Sequence, residues 1–166
     1  MVCRNIPKPE IVGICSVVPA EMEWFHKNFP DIKYSVSDYK ELLEKENPQI
    51  EVLVNGAGFG LFGTFAEMDL KTQLDSVKLN SCALTAICHI SIPYMGKGSK
   101  IINLASNSSW QPVPYINVYG SSKAYVLNFS RALGVELKNQ GIHVMAVAPG
   151  WIQTEFFEHA VHDDTI

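Results

Sequence analysis

Residues 101–123 read IINLASNSSWQPVPYINVYGSSK, and this stretch decides the fold that the sequence predicts. The apolar residues at its start are typical of a buried strand, and the prolines that follow mark a loop. Its last residues begin a helix that carries Tyr119 and Lys123, four positions apart and therefore on one face. Ser106 lies between the strand and the loop. The stretch therefore predicts a polar site where a strand ends and a helix begins.

The pairing of Tyr119 with Lys123 indicates acid–base chemistry. An ordinary tyrosine has a pKa of about 10, and a neighbouring cation or the positive end of a helix lowers it. We therefore expect the Tyr119 pKa to lie below its ordinary value. Ser106 precedes Tyr119 and could bind the same substrate oxygen.

Outward from this stretch, short apolar runs alternate with segments of helical spacing. We predict strands at residues 11–16, 32–36, 51–55, 101–104 and 143–148. We predict helices at residues 19–29, 38–46, 69–95 and 119–139. Strands that alternate with helices indicate a partial Rossmann-like, doubly wound parallel sheet with helices on both faces. Ligands bind such sheets at the carboxyl ends of the strands, where Asn55, Ser106 and Pro149–Gly150 fall.

The turn and cap residues support these boundaries. Asp38 and Asp69 are typical N-caps for the second and third helices. Gly96–Lys97–Gly98 predicts a turn before the central strand, and Gly141 predicts the end of the last helix.

The composition favours one globular domain over residues 1–166. The chain is 47% hydrophobic and 18% charged, and its net charge of −4 offers no basic surface to nucleic acid. No apolar run has the length of a membrane span, and the N-terminus lacks the apolar core of a signal peptide, so we expect a cytoplasmic protein. The cysteines, at positions 3, 15, 82 and 88, indicate reduced and mostly buried thiols. Cys82, Cys88 and His89 could suggest a metal, but packing on an apolar helix explains them better, and no metal is predicted.

Together these motifs resemble the short-chain dehydrogenase/reductase family. Ser106, the Y-x-x-x-K pair Tyr119–Lys123 and the helix residue Asn80 match its four catalytic positions. The resemblance implies that Tyr119 exchanges a proton with a carbonyl or alcohol substrate while Ser106 orients the substrate oxygen. It also implies that Lys123 lowers the Tyr119 pKa and binds the nicotinamide ribose, and that Asn80 holds a water between Lys123 and solvent.

Two further segments match the cofactor side of the family. Residues 55–58, NGAG, resemble its N-N-A-G element with Gly56 at the second Asn, and residues 149–154 match P-G-x-x-x-T. The resemblance implies NAD or NADP as the cofactor. The choice between the two stays open, because residues 15–17 and 35–38 do not show which of them is preferred. The implied cofactor-side residues are Asn55, Gly56, Ala57, Gly58, Tyr119, Lys123, Pro149, Gly150, Ile152 and Thr154.

Gly58, Gly60 and Gly63 also spell G-x-G-x-x-G, the dinucleotide fingerprint, after a predicted strand. We interpret them as loop glycines, because the fingerprint must open a helix directly and Asp69 is the better helix start. No strand with an acidic end follows at the spacing that the fingerprint requires.

The resemblance begins at residue 11, with the second strand of the family, and extends past residue 154. The chain therefore resembles a member without the first strand and its T-G-x-x-x-G-x-G loop, and without the last elements. We expect an incomplete domain with irregular segments at residues 1–10 and 151–166, in which the strand at 11–16 slides toward the strand at 51–55 or docks poorly.

Two functions stay open. The first is an NAD(P)-dependent oxidoreductase that acts on a small carbonyl or alcohol substrate. The second is an inactive remnant that acts through association, because the resemblance implies that the helices at about 69–95 and 119–139 pair two copies. A generic α/β domain with chance motifs is a third interpretation, which the combined spacings disfavour.

Overall fold

A computed structural model describes residues 36–150, so the predictions for residues 1–35 and 151–166 lie outside the described part. The described residues form a three-stranded parallel sheet in the order β1-β2-β3. The strands are β1 (Ile50–Asn55), β2 (Met95–Leu104) and β3 (His143–Val147). Helices connect them, which confirms the predicted α/β class with a parallel sheet.

Four α-helices accompany the sheet in the described part of the chain. Helix α1 (Val36–Glu46) precedes β1, and α4 (Asn117–Glu136) connects β2 to β3. The long helix predicted between β1 and β2 consists of α2 (Leu70–Val77), a π-helical turn (Lys78–Ala83) and α3 (Leu84–Ser91). Short 3₁₀ turns at Ile92–Tyr94, Asn107–Ser109 and Lys138–Gln140 complete the connections.

The core lies between the helices and one face of the sheet. Leu53, Ile101 and Val144 are register partners on neighbouring strands, so their side chains share that face. Buried residues of α1, α3 and α4 pack against them, which follows because right-handed crossovers between successive strands place the connecting helices on the same side. A helical layer on the other face would involve residues outside 36–150 and stays a prediction.

Asp69 is the N-cap of α2, as predicted. Its carboxylate accepts hydrogen bonds from the Thr72 backbone N–H at 2.7 Å and from the Thr72 hydroxyl at 2.6 Å. These bonds lower the pKa of Asp69. The prediction for Asp38 is wrong in detail, because α1 already begins at Val36 and Asp38 lies in its first turn. Val36 is therefore helical and not the last residue of a strand.

The predicted turn at Gly96–Lys97–Gly98 is also wrong, because these residues belong to β2. They form a bulge: Ile50 pairs with Met95, and the next pair along β1 is Val52 with Lys100. Gly98 has a φ of +95° and donates its N–H to Gly141 O at 2.8 Å. Gly141, with a φ of +71°, closes the 3₁₀ turn after α4, near the predicted helix end.

The two described cysteines differ in environment. Cys88 is buried in the core, and burial raises its pKa to about 11. Cys82 is exposed, so the prediction of core packing is wrong for this thiol. The two cysteines are six positions apart, which on a helix of about 3.6 residues per turn places them roughly 120° apart around the axis and therefore in different surroundings.

Candidate active site

The site begins just beyond β2, where Ser106 is the N-cap of the 3₁₀ turn Asn107–Ser109. Ser106 has extended backbone, and its Oγ accepts the N–H of Ser108 at 3.2 Å, which caps the turn. The Asn107 N–H donates to Pro149 O at 2.9 Å. The turn after β2 is therefore joined to the segment after β3, and both lie at the carboxyl ends of the strands.

Tyr119 reaches this turn from the first turn of α4. Its hydroxyl shares a hydrogen bond with the Ser106 hydroxyl. Its ring packs against the buried pair Phe62 and Ile116, with Val113 nearby. Tyr119 and Ser106 are therefore together, as the sequence predicted.

The pKa of Tyr119 moves opposite to the predicted direction. Burial of the phenol raises its pKa, and this effect exceeds the lowering by the Ser106 hydrogen bond. The expected lowering is therefore wrong for this structure. The physical reason is desolvation, because a phenolate loses its hydration when it is enclosed by apolar side chains.

Lys123 lies one helical turn beyond Tyr119 and is 4% exposed. Its Nζ donates to Leu104 O at 2.8 Å and lies 5.6 Å from the centroid of the Tyr119 ring. Burial lowers the pKa of Lys123 to about 8, because a desolvated ammonium is less stable than a solvated one. The lysine is thus held at the end of β2, beside the tyrosine, as the Y-x-x-x-K spacing predicted.

Asn80 occupies the π-helical turn between α2 and α3 and is fully buried. Its Oδ1 accepts the Phe59 N–H at 3.1 Å, and its Nδ2 donates to Phe59 O at 2.9 Å. Nδ2 also lies 2.9 Å from the Ser122 hydroxyl. Asn80 therefore ties the loop after β1 to α4. The water-holding role that the resemblance implies stays a prediction.

Gly58 lies between Asn80 and Lys123. A Cβ at Gly58 would lie 2.9 Å from Asn80 Oδ1 and 3.0 Å from Lys123 Nζ. The structure therefore brings Gly58, Asn80 and Lys123 into one place. Helix α2 begins only at Leu70, which agrees with the interpretation that the G-x-G-x-x-G glycines do not open a helix.

The other cofactor-side residues have mixed environments. Asn55 is buried, and its Nδ2 donates to Asn103 Oδ1 at 2.7 Å and contacts Cys88 Sγ at 3.3 Å. Asn103 in turn donates to Ser130 Oγ at 2.9 Å, so this network joins β1, β2 and α4. Gly56 is exposed and Ala57 is partly buried at the end of β1.

The segment after β3 is described only in part. Pro149 and Gly150 lie beside Asn107. Pro149 O accepts the Asn107 backbone N–H, and a Cβ at Gly150 would lie 3.9 Å from the side-chain nitrogen Asn107 Nδ2. Ile152 and Thr154 lie outside the described residues.

Two hydroxyl groups of the site were not identified from the sequence. The Ser122 hydroxyl donates to Tyr119 O at 2.7 Å and contacts Asn80, and the Ser108 hydroxyl lies 3.0 Å from Ser106 Oγ. Ser122 had a readable signal, because it is a polar residue inside Y-x-x-x-K on the face that the helix buries. Ser108 had none beyond its closeness to Ser106.

A groove of about 980 Å³ runs along α2, α3 and α4 and borders the site at Ser122. Tyr125 is 43% exposed there, and its hydroxyl is 2.8 Å from the Thr85 hydroxyl. The lining is mostly apolar and consists of Phe65, Val77, Ser81, Cys82, Thr85, Ala86, His89, Asn117, Val118, Ser121, Ser122 and Tyr125.

Two other features are absent from residues 36–150. These residues contain no cluster of three or more histidine, cysteine or acidic side chains that could hold a metal ion. No helix in the same range is both long and apolar enough to cross a membrane.

Comparison with known proteins identifies the family. A family model for short chain dehydrogenase matches residues 30–165. Sulfoacetaldehyde reductase 2 of Chromohalobacter salexigens is 36% identical over 112 residues, which are 65% of this chain and 44% of that protein. Hydroxysteroid dehydrogenase-like protein 1 of Gallus gallus is 32% identical over 162 residues, 93% of this chain and 48% of that protein. The chain spans about half the length of these curated relatives.

Solved structures share the fold. A short-chain dehydrogenase from Sphingobium yanoikuyae, in complex with NADPH, superposes with a TM-score of 0.71 at 22% identity. The superposition covers 93% of this chain and 66% of that chain. At this identity the similarity concerns the fold alone.

Proposed function

Because the chain belongs to the short chain dehydrogenase family, we propose that it functions as an NAD(P)-dependent oxidoreductase on a small carbonyl or alcohol substrate. One observation carries the proposal: the Tyr119 hydroxyl bonds Ser106 while Lys123 lies one helical turn away, at the carboxyl ends of the strands. A phenol, a hydroxyl and an ammonium in this arrangement can hold a substrate oxygen and exchange a proton with it.

A protonated Tyr119 is the form that reduction of a carbonyl would use. A phenol with a raised pKa is protonated at neutral pH and can therefore donate its proton to the oxygen of a carbonyl. Ser106 holds the same oxygen by a hydrogen bond and stabilises the charge that develops on it. Lys123, with a pKa of about 8, is mostly charged at pH 7 and adds a positive charge beside the phenol.

The residues present fit a nicotinamide cofactor. An ammonium has three donors, and Lys123 uses one of them on Leu104 O, which leaves donors for the hydroxyls of a ribose. The cofactor would supply or accept the hydride when bound. NADPH is present in the Sphingobium yanoikuyae structure, and we propose NADP or NAD here. The groups that would hold it are residues 55–58, Tyr119, Lys123 and Pro149–Gly150, together with Ile152 and Thr154.

The test is turnover with NADPH or NADH and a panel of ketones and aldehydes. We expect Tyr119→Phe to lower kcat/KM by roughly 10²-fold to 10⁴-fold, the range of general acid catalysis. Tyr94→Phe is the matched control, because Tyr94 packs against the core away from the site, and it should keep parental turnover. Parental turnover in Tyr119→Phe would refute the assignment of the acid.

The outer groove supports a second function, association of two copies. The groove exposes Phe65, from the segment before α2, and Tyr125 on α4, and α2 carries a further exposed apolar residue, Leu74, outside the groove lining. Exposed apolar surfaces of this kind mark interaction sites. We therefore propose a homo-oligomer through α2, α3 and α4, which would persist in a chain without turnover. We further propose that the protein is cytoplasmic and binds neither nucleic acid nor membrane.

A further inference from the structure

We propose that Gly60 is a positioning residue for Tyr119, and that it is glycine because the tyrosine ring occupies the space of its missing side chain. A Cβ at Gly60 would lie 2.7 Å from Tyr119 Cβ, Cγ and Cδ2. Contacts this short do not occur between real carbon atoms, so any side chain at Gly60 must displace either the loop or the tyrosine.

A positive φ does not explain this glycine. Gly63 has a φ of +154°, in the region that favours glycine, whereas Gly60 is not among the positive-φ residues. The φ of Gly60 therefore does not by itself demand glycine. Contact with Tyr119 is the remaining requirement.

The loop around Gly60 is held on both sides and resists displacement. Asn80 binds both the N–H and the carbonyl of Phe59, immediately before Gly60. The Gly63 N–H donates to Tyr115 O at 2.9 Å, and Leu61 and Phe62 are buried. Because Tyr119 Cβ is one of the three atoms at 2.7 Å, rotation of the ring alone cannot relieve the contact, and the first turn of α4 must shift away from the loop and carry the ring with it. Displacement of the ring would separate the Tyr119 hydroxyl from Ser106.

This role rests on the proposed function only in treating Tyr119 as the acid, since the contact itself is independent of turnover. It also gives the G-x-G-x-x-G glycines a different purpose. Gly58 makes room for Asn80 and Lys123, and Gly60 makes room for Tyr119. The glycines bring backbone close to proposed catalytic side chains and not to a pyrophosphate.

The first test is a double-mutant cycle on stability. Gly60→Ala should lower the folded-to-unfolded ratio in urea by roughly tenfold or more, the effect of overpacking a tight site. The same substitution in a Tyr119→Gly background should cost little, because all three clashing atoms are gone. Gly96→Ala is the control, because a Cβ at Gly96 would have Gln49 Nε2 as its nearest neighbour, at an ordinary contact distance of 3.7 Å.

The second test separates positioning from stability alone. Ultraviolet absorbance follows the formation of the Tyr119 phenolate as the pH rises. The titration curve of Tyr119→Phe is subtracted to isolate the signal of this tyrosine. In the parent, Ser106→Ala should raise the Tyr119 midpoint, because the Ser106 bond lowers it. In Gly60→Ala, the added Ser106→Ala change should have no effect, because that bond is already broken.

Three results would overturn the proposal. In the first, Gly60→Ala unfolds or destabilises the Tyr119→Gly protein as much as it does the parent. In the second, Gly60→Ala alone has the stability of the parent. In the third, Ser106→Ala still raises the Tyr119 titration midpoint in the Gly60→Ala protein. None of these bears on turnover by the parent chain, so failure here and failure of the proposed function are distinguishable.

Discussion

Helix α4 has two faces with opposite character. The inner face carries Ser122, Lys123 and Ser130, whose polar atoms bond to Asn80, Leu104 O and Asn103. The outer face carries Tyr125, which is 43% exposed and borders the apolar groove. The contrast teaches that the polar groups on the inner face of α4 are enclosed and paired, while a large apolar surface on its outer face is left open.

Physical chemistry explains why the two faces differ in rigidity. A buried polar group without a partner costs free energy, so the inner face has one low-energy arrangement. An exposed apolar groove carries no such requirement and is stabilised only when something covers it. The inner face is therefore expected to depend on individual hydrogen bonds, and the outer face on association.

The largest effect is expected from Asn80→Ala, which breaks the inner network. It removes the acceptor of the Phe59 N–H and a donor to Phe59 O, each buried group costing about 1–3 kcal/mol. We expect the free energy of unfolding to fall by about 3 kcal/mol, measured by urea denaturation. Asn128→Ala, at an exposed position on α4, should change it by less than about 0.5 kcal/mol. Equal effects of the two substitutions would show that the network does not hold the inner face.

A smaller effect, with a pH dependence, is expected from Lys123→Met. The pKa of Lys123 falls from 10.5 to about 8 on folding, so between these values the unfolded chain binds more protons and stability rises with pH. Lys123 therefore lowers stability most below pH 8. We expect the stability of Lys123→Met relative to the parent to decrease by roughly 2 kcal/mol between pH 8 and pH 10.

The measurement is the difference in unfolding free energy between parent and variant across that pH range. Raised pKa values at Tyr39 and Cys88 act in the opposite direction, but both proteins contain these groups and the difference cancels them. Tyr119 also has a raised pKa and lies beside Lys123, so both proteins carry Tyr119→Phe in this measurement. Lys138→Met, at an exposed lysine, should give a flat difference. A flat difference for Lys123→Met as well would mean that the buried ammonium is not desolvated.

The smallest effect is expected from Ala86→Glu, which places a charge in the groove and leaves the inner face alone. We expect the dissociation constant of the dimer to rise by at least tenfold, about 1.4 kcal/mol, because a buried unpaired charge opposes association. Ala132→Glu is the control at an exposed position of α4 outside the groove. Sedimentation over a range of concentrations measures both, and a monomeric parent would refute the association.

Much of the fold was predictable because it depends on local patterns. Asp69 as a helix cap, Gly141 at a left-handed turn and the strands ending at Asn55 and Leu104 all follow from short-range chemistry. The bulge at residues 96–98 was missed, because glycines there permit both a turn and a bulge. Pairing of β2 with β1 decides between the two.

The site was predictable in identity more than in energetics. The sequence pattern placed Ser106, Tyr119 and Lys123 together, as the structure has them. It predicted a lowered Tyr119 pKa, whereas burial by Phe62, Ile116 and Val113 raises it. Phe62 comes from the loop after β1, and Val113 and Ile116 come from the connection that precedes α4. No local pattern predicts that these remote segments together enclose the phenol.

The sequence by itself determined the parallel α/β fold, the helix that carries Tyr119 and Lys123 on one face, and the family to which the chain belongs. The fold and the helix depend on periodicity and spacing within short segments, which act before the chain is compact, whereas the family follows from the resemblance of its motifs. Only the tertiary structure decided that Gly60 faces the ring of Tyr119, that Asn80 binds the backbone of Phe59, and that desolvation governs both proton affinities. These depend on distances between residues remote in the chain, because burial and close contact exist only once the segments have packed.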